Sequence, residues 1–402
     1  MPDGRAEVKR GKRRALTRRS QAAPLGRPKA RHHLMGKVAA PDAPTVNHIF
    51  PKKDHFMLKS VTSTTNRKIV LNSRPKGEPQ LSDFRLELEE TGAPKAGQML
   101  VRNHFLSLDP YMRGMMSDRD SYVEPIAIGG TMSGMTIAEV VASRIDRFKA
   151  GDWVVVNAGW EEYSLTDDSI AFPLDPAIDR KSLALGILGM PGLTAWAGLM
   201  QIGKPKAGET LVVAAATGPV GSAVGQIAKK LGLRVVGIAG GPEKCRIAVE
   251  KMGFDACVDH RAPDFAAQLK AAVPDGIDIY FENVGGHVFK AVVPLMNQRG
   301  RIPLCGNIVT YNNPDAPTEG LGDYTDIIIL RLQQHRVTLQ GFLAMDYFHL
   351  WDQFQKEVGA WVRAGDIVAL EDVSEGLESA PQGLRDVLKG ANKGKKVIKL
   401  TA

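Results

Sequence analysis

The segment Ala215-Ala216-Thr217-Gly218-Pro219-Val220-Gly221-Ser222-Ala223-Val224-Gly225 constrains the fold of this 402-residue chain more than any other. It follows an apolar run, residues 211–215, and leads into an amphipathic stretch, residues 220–231. An apolar strand, a glycine turn and a helix, in that order, open a βαβ unit. Gly218 permits a tight turn, and Gly221 lets the backbone approach an anion closely. The unpaired N–H groups and the dipole at the start of the helix then favour a pyrophosphate. The spacing is Ala-x-x-Gly-x-x-Gly rather than Gly-x-Gly-x-x-Gly, so the motif draws its weight from its surroundings.

Those surroundings are regular. Strands are expected at 234–238, 256–259, 277–282 and 301–304, with helices at 243–252, 265–272 and 286–295 between them. Alternation of this kind means parallel strands with right-handed crossovers. Ahead of it, residues 67–72, 84–89, 99–107 and 153–156 read as short strands between turns, in a β-rich lobe over roughly 66–180. Residues 365–370 and 395–400 read as strands that rejoin this first lobe.

The second strand selects the dinucleotide. An NAD site needs a carboxylate ~20 residues after the first glycine, to bond the ribose hydroxyls. Here that position reads Ile238-Ala239-Gly240-Gly241, and Lys244 follows. An open glycine turn with a lysine accommodates a 2′-phosphate, so the expectation is NADPH; the alternative is that Lys244 is only a solvated lysine at a helix start.

Charge and cysteine content remove several classes. The formal net charge is +8, but residues 1–60 carry +11 and the rest −3. The basic leader includes Lys12-Arg13-Arg14 and Arg18-Arg19 and shows no period, a composition that stays disordered. It reads first as a solvated extension or a misplaced start with Met57 or a neighbour as the beginning; organelle targeting and a nucleic-acid arm are the sharper alternatives. Three cysteines make no disulfide framework and point to a reducing compartment, the cytoplasm. The uncharged stretches 183–203 and 211–228 are long enough to span a membrane, but glycine, proline and glutamine interrupt both, and no membrane partner is expected.

The first lobe contains no cysteine and one histidine, His104. It therefore lacks the cysteine, histidine and glutamate of a catalytic zinc, and no metal is expected. Hydride transfer without a metal requires an acceptor carbon that is already electrophilic, as in an α,β-unsaturated carbonyl, and a donor to the developing enolate oxygen.

Several motifs converge on one family. They are Leu108-Asp109-Pro110-Tyr111-Met112-Arg113, Met190-Pro191-Gly192-Leu193-Thr194-Ala195-Trp196, the glycine turn, Phe281-Glu282-Asn283-Val284-Gly285-Gly286, Cys305-Gly306-Asn307-Ile308 and Gly390-Ala391-Asn392-Lys393-Gly394-Lys395. Over about residues 66–402 the chain resembles the zinc-independent medium-chain dehydrogenase/reductases, in the branch of prostaglandin/leukotriene and curcumin reductases. The resemblance implies an α/β fold, a GroES-like β-barrel lobe plus a Rossmann doubly wound parallel sheet. Its division would be a leader at 1–60, a lobe at 61–184 completed by 365–402, and a cofactor domain at 185–364. It implies NADPH-dependent reduction of an enone or alkenal double bond, in a homodimer.

By position, Gly218, Pro219, Val220 and Gly221 would hold the pyrophosphate and Lys244 the 2′-phosphate; Asn283, Cys305, Gly306, Ile308, Tyr311 and Asn392 would line ribose and nicotinamide. Phe342, Leu343 and Ala344 would meet the carboxamide through their backbone. His260 stands where the family commonly has a tyrosine, beside Arg261. Tyr311 and Tyr111 are the candidate catalytic residues, and Met132, Met135 and Met345 the candidates for an adaptable apolar pocket. Quinone reduction is the rival with the same chemistry; an NADPH-binding protein that is not an enzyme, with a nucleic-acid leader, is the rival from another class.

Overall fold

The computed structural model describes residues 64–119, 121–167, 169–313 and 325–400. The expectations for the leader, and for the loop beyond Asn313, lie outside the described residues. The first lobe runs β1 (Thr64–Leu71), β2 (Phe84–Thr91), β3 (Met99–Ser107), α1 (Met112–Met115), β4 (Met135–Ser143), β5 (Trp153–Asn157), β6 (Tyr163–Thr166) and β7 (Ala171–Pro173). The second runs α2 (Met190–Ala197), β8 (Thr210–Ala214), α3 (Pro219–Lys230), β9 (Arg234–Ala239), α4 (Pro242–Glu250), β10 (Ala256–Asp259), α5 (Phe265–Ala272) and β11 (Ile277–Phe281). It continues through α6 (Gly286–Val292), β12 (Met296–Leu304), α7 (Thr325–His335), β13 (Thr338–Gly341) and α8 (Trp351–Arg363). The chain then forms β14 (Glu371–Glu375), α9 (Ala380–Leu388) and β15 (Lys395–Lys399).

The second lobe holds one parallel sheet in the order β10-β9-β8-β11-β12-β13. This is the doubly wound arrangement, with its switch point between β8 and β11. Every residue of β8 is buried, as a strand covered by helices on both faces requires. Pro219 occupies the first position of α3, where its missing N–H costs nothing. Gly221 lets that helix lie flush on the strand before it: a Cβ there would stand 2.2 Å from the Ala215 carbonyl oxygen.

In the first lobe the sheet order is β14-β15-β3-β4-β5-β7, with β6 also on β3. The last strand, β15, pairs antiparallel with β3, so the end of the chain does return to the first lobe. The strand expected at 365–370 is not there; β14 begins at Glu371. The reason is a side chain. Gln226 of α3 donates to the Val368 carbonyl (3.0 Å) and accepts from its N–H (2.7 Å), so this backbone is satisfied by a helix instead of a ladder. The uncharged stretches resolve into helix and strand–turn–helix, and among the described residues no helix is long and apolar enough to cross a membrane.

Candidate functional site

All six strands of the parallel sheet run the same way, so the segments after them share one edge. In spatial order that edge carries His260 after β10, Lys244 after β9, Gly218–Gly221 after β8, Asn283 after β11, Cys305–Tyr311 after β12 and Phe342–Ala344 after β13. Ligands of such sheets bind beyond the carboxyl ends of the strands, nearest the switch point. Asn283 stands at that point, and its side-chain amide donates to the Ala214 carbonyl (2.8 Å), tying β11 to β8.

One end of the edge is a basic corner. Gly240 closes β9, and a Cβ there would lie 3.1 Å from both the His260 imidazole and the Arg261 guanidinium. Glycine is what lets those two groups fold over the strand end. Lys244 is half-buried and donates to the Gly390 carbonyl (2.7 Å), which brings the loop of Asn392 against the start of α4. Beside it Lys393 pairs with Glu243 at 2.7 Å, while Asn392 donates to the Gly394 carbonyl at 2.7 Å. Burial, then the Arg261 charge, lowers the Lys244 pKa. A further carboxylate enters this corner from the neighbouring strand: Asp259 accepts from the N–H groups of Gly241 (2.8 Å) and Arg261 (2.9 Å). It braces the turn through these two N–H groups.

His260 has a partner that sequence reasoning missed. His287, on α6, lies 3.3 Å from its Nδ1. Burial, then His287 and Arg261, depress the His260 pKa below the ordinary imidazole value.

The other end is lined by phenols. Tyr311 caps a short 3-10 turn after β12, with its hydroxyl 3.3 Å from where a Gly306 Cβ would stand and with the Asn283 carbonyl close by. Burial, then Cys305, raises its pKa. Burial and the neighbouring Glu282 push the Cys305 thiol up to about 12. Tyr122 is the second residue missed from sequence. It sits in a loop of the first lobe, is 53% exposed, and interacts with Tyr311 and Cys305. Partial burial of its phenol, then those two groups, pushes it up to about 12. Tyr111 adjoins it and is also shifted upward, by burial, then Asp109 and Tyr122. All three phenols therefore remain protonated donors over the physiological range.

Three expectations change in detail. Phe342 packs into the core, edge-on to Phe281 (6.1 Å) and Tyr347 (6.0 Å), and the Leu343 N–H already donates to Asp346 (3.3 Å). Cys305 and Gly306 donate their N–H groups to the Glu282 carbonyl (2.9 and 3.2 Å), so they shape the loop through their backbone. The methionines do not form one pocket: Met132 is buried in the first-lobe core, Met135 faces the seam with Phe348 and Trp351, and Met345 is exposed.

These residues fit a dinucleotide. The cradle at Gly240 and Gly221 leaves backbone and cationic groups where phosphates are expected. Among the described residues no group of three or more histidine, cysteine, aspartate or glutamate side chains could hold a metal ion. His104 instead packs on Trp153, with ring centroids 4.6 Å apart.

The family described as the N-terminal domain of oxidoreductase matches residues 67–174, and the one described as zinc-binding dehydrogenase matches residues 219–362. An NADPH-dependent curcumin reductase of Escherichia coli is 51% identical over 83% of this chain and 97% of its own length. A 2-alkenal reductase (NADP(+)-dependent) of Nicotiana tabacum is 41% identical over 83% and 97%. A solved structure of CurA from Vibrio vulnificus in complex with NADPH is 46% identical, covers 84% of this chain and 99% of its own, and superposes with a TM-score of 0.80. By its motifs, its sheet order and these similarities, the chain belongs to the medium-chain dehydrogenase/reductase family, in the branch that holds the curcumin, alkenal and prostaglandin reductases.

Proposed function

We propose that this chain reduces the carbon–carbon double bond of α,β-unsaturated aldehydes and ketones with NADPH and without a metal. The observation that carries the reading is the order along one sheet edge: basic corner, glycine turn, then the protonated phenol of Tyr311. The relatives named for curcumin and 2-alkenal reduction support the same substrate class. Bound along this edge, NADPH supplies a hydride to the electrophilic carbon. Lys244, His260 and Arg261 bind the 2′-phosphate, and the N–H groups of Val220 and Gly221 hold the pyrophosphate. Asn283, Cys305, Gly306, Ile308 and Asn392 shape the ribose and nicotinamide end, with Phe342–Ala344 closing its far side. Tyr311 donates its O–H to the substrate oxygen as that oxygen gains enolate charge. Tyr122 and Tyr111, from the first lobe, orient the enone over it.

The same reading divides the chain into a leader at 1–60, a lobe at 61–184 completed by 365–402, and a cofactor domain at 185–364. It takes the three thiols, none of them in a disulfide, as support for a cytoplasmic setting. It also takes the open β13 edge as support for a homodimer.

NADPH oxidation measured against alkenals, cyclic enones and naphthoquinones, with NADH as control, tests the proposal. Enones and alkenals are expected to outpace quinones, with NADH weaker by about tenfold or more in kcat/KM. Faster quinone turnover overturns the enone reading. NADPH binding with no oxidation by any acceptor overturns the enzyme. Tyr311→Phe is expected to lower kcat on the order of 10²-fold with little change in KM for NADPH; unchanged turnover removes the hydroxyl from catalysis.

A further inference from the structure

Two thiols take no part in the site described above. Cys245 follows Lys244 in the first turns of α4, and Cys257 is the second residue of β10. The Cys257 thiol donates to the Cys245 sulfur across 2.9 Å. A disulfide needs ~2.05 Å, so the two sulfurs stand within about one ångström of bonding distance. The neighbouring strand makes room for the approach. Cys257 lies opposite Gly237 in the register of β9 and β10, and a Cβ at Gly237 would stand 3.2 Å from the Cys257 sulfur. Both cysteines are half-buried and lie at the edge of the core rather than within it.

We propose that Cys245 and Cys257 form a redox modification site, which a peroxide closes to a disulfide and a thiol reductant reopens. The Cys245 thiolate attacks one peroxide oxygen; the S–O bond forms, the O–O bond breaks and hydroxide leaves. The Cys257 sulfur then attacks Cys245, the S–S bond forms, the S–O bond breaks, and the Cys257 proton leaves with that oxygen as water. Two thiols are oxidised by two electrons, and one peroxide is reduced to two waters. The division of roles follows from the hydrogen bond: the proton donated by Cys257 stabilises the thiolate of Cys245 and holds that of Cys257 back.

The position of the pair gives the site its consequence, which rests on the NADPH reading above. Lys244 precedes Cys245, and His260 lies three residues beyond Cys257. A covalent tie between α4 and β10 draws these two elements together and shifts Lys244 against His260 and Arg261. A severalfold rise in KM for NADPH is expected, reversed by dithiothreitol.

The test uses the full wild-type chain treated with hydrogen peroxide and quenched. Titratable thiols should fall from the three in the sequence to one. Peptide mapping should find the Cys245 and Cys257 peptides joined, lighter by two hydrogens. Cys245→Ser and Cys257→Ser should each abolish the joined peptide. Three surviving thiols, sulfenic acid at Cys245 without a cross-link, or a bond to Cys305 or to another molecule each overturn the site. A cross-link that leaves KM for NADPH unchanged overturns its coupling to the cofactor corner. The thiol count needs no turnover, so a protein that cross-links but reduces no enone refutes only the reductase reading.

Discussion

In the proposed site Lys244 and His260 share one phosphate, a fixed charge beside one that changes with pH. Lys244→Ala is expected to raise KM for NADPH on the order of 10- to 100-fold, the worth of one charge-assisted hydrogen bond, and to leave NADH kinetics alone. His260 behaves differently because burial and His287 depress its pKa. At neutral pH it is uncharged; it gains a positive charge only as pH falls below the ordinary imidazole value of about 6.5. The phosphate also takes up a proton near pH ~6, which opposes the gain. The expected signature is therefore a ratio: KM for NADPH of His260→Ala over wild type grows as pH falls from 7.5 to 5.5. A flat ratio removes the imidazole from phosphate binding. The same depressed pKa makes the unfolded chain the better proton acceptor, so this residue's contribution to stability declines as pH drops through that window. The position of Lys244 just after the end of the second strand was legible in the sequence because a local rule sets it. His287 and Tyr122 were not. One reaches His260 from 27 positions away on another helix, and the other comes from a loop without periodicity.

At the scale of elements, two of the family motifs prove to be halves of one joint. Asp109, just after β3, and Lys395, opening β15, form an ion pair buried at 4% and 2% exposure. Lys395 also donates to the Leu108 carbonyl (2.8 Å), and Ser107 donates to Asp109. Burial lowers the Lys395 pKa and Asp109 opposes that shift. Removing one partner leaves the other charge buried alone. Asp109→Ala is thus expected to cost about 3–5 kcal/mol, while Asp109→Leu with Lys395→Met should recover most of it. Thermal melts of the three proteins settle this, and a double variant no better than the single one sinks it. The glycine turn and the βαβ alternation were readable because each depends on neighbours in sequence. Strands β4, β6, β7 and β13 went unread: β7 is three residues, β6 and β13 are four each, and β13 is polar and exposed. The strand expected at 365–370 failed because Gln226, some 140 residues earlier, satisfies its backbone.

At the scale of the whole molecule, among the described residues no strand pairs beyond β10 or β13 in the parallel sheet, and the β13 end is the exposed one. All four residues of β13 are exposed, with Leu339 among them, and α7 beside it leaves Ile329 and Leu330 in solvent at 56% and 50%. An unpaired strand edge next to apolar side chains is a template for pairing, and the partner that always matches it is the same edge of a second copy, related by a twofold axis. A stable interface of this kind needs roughly 1,200–2,000 Å² in all, which a strand pair alone does not reach, so the α7 residues have to contribute. The expected outcome is a dimer by light scattering at micromolar concentration for the wild type. Ile329→Asp with Leu330→Asp should give a folded monomer, because both side chains point into water in one copy and their loss leaves the core untouched. A monomeric wild type, or a double variant that stays dimeric, refutes pairing through this edge. NADPH oxidation by the monomer then separates two cases: the cofactor edge carries residues from one chain along its whole length, so kcat is expected to survive dissociation.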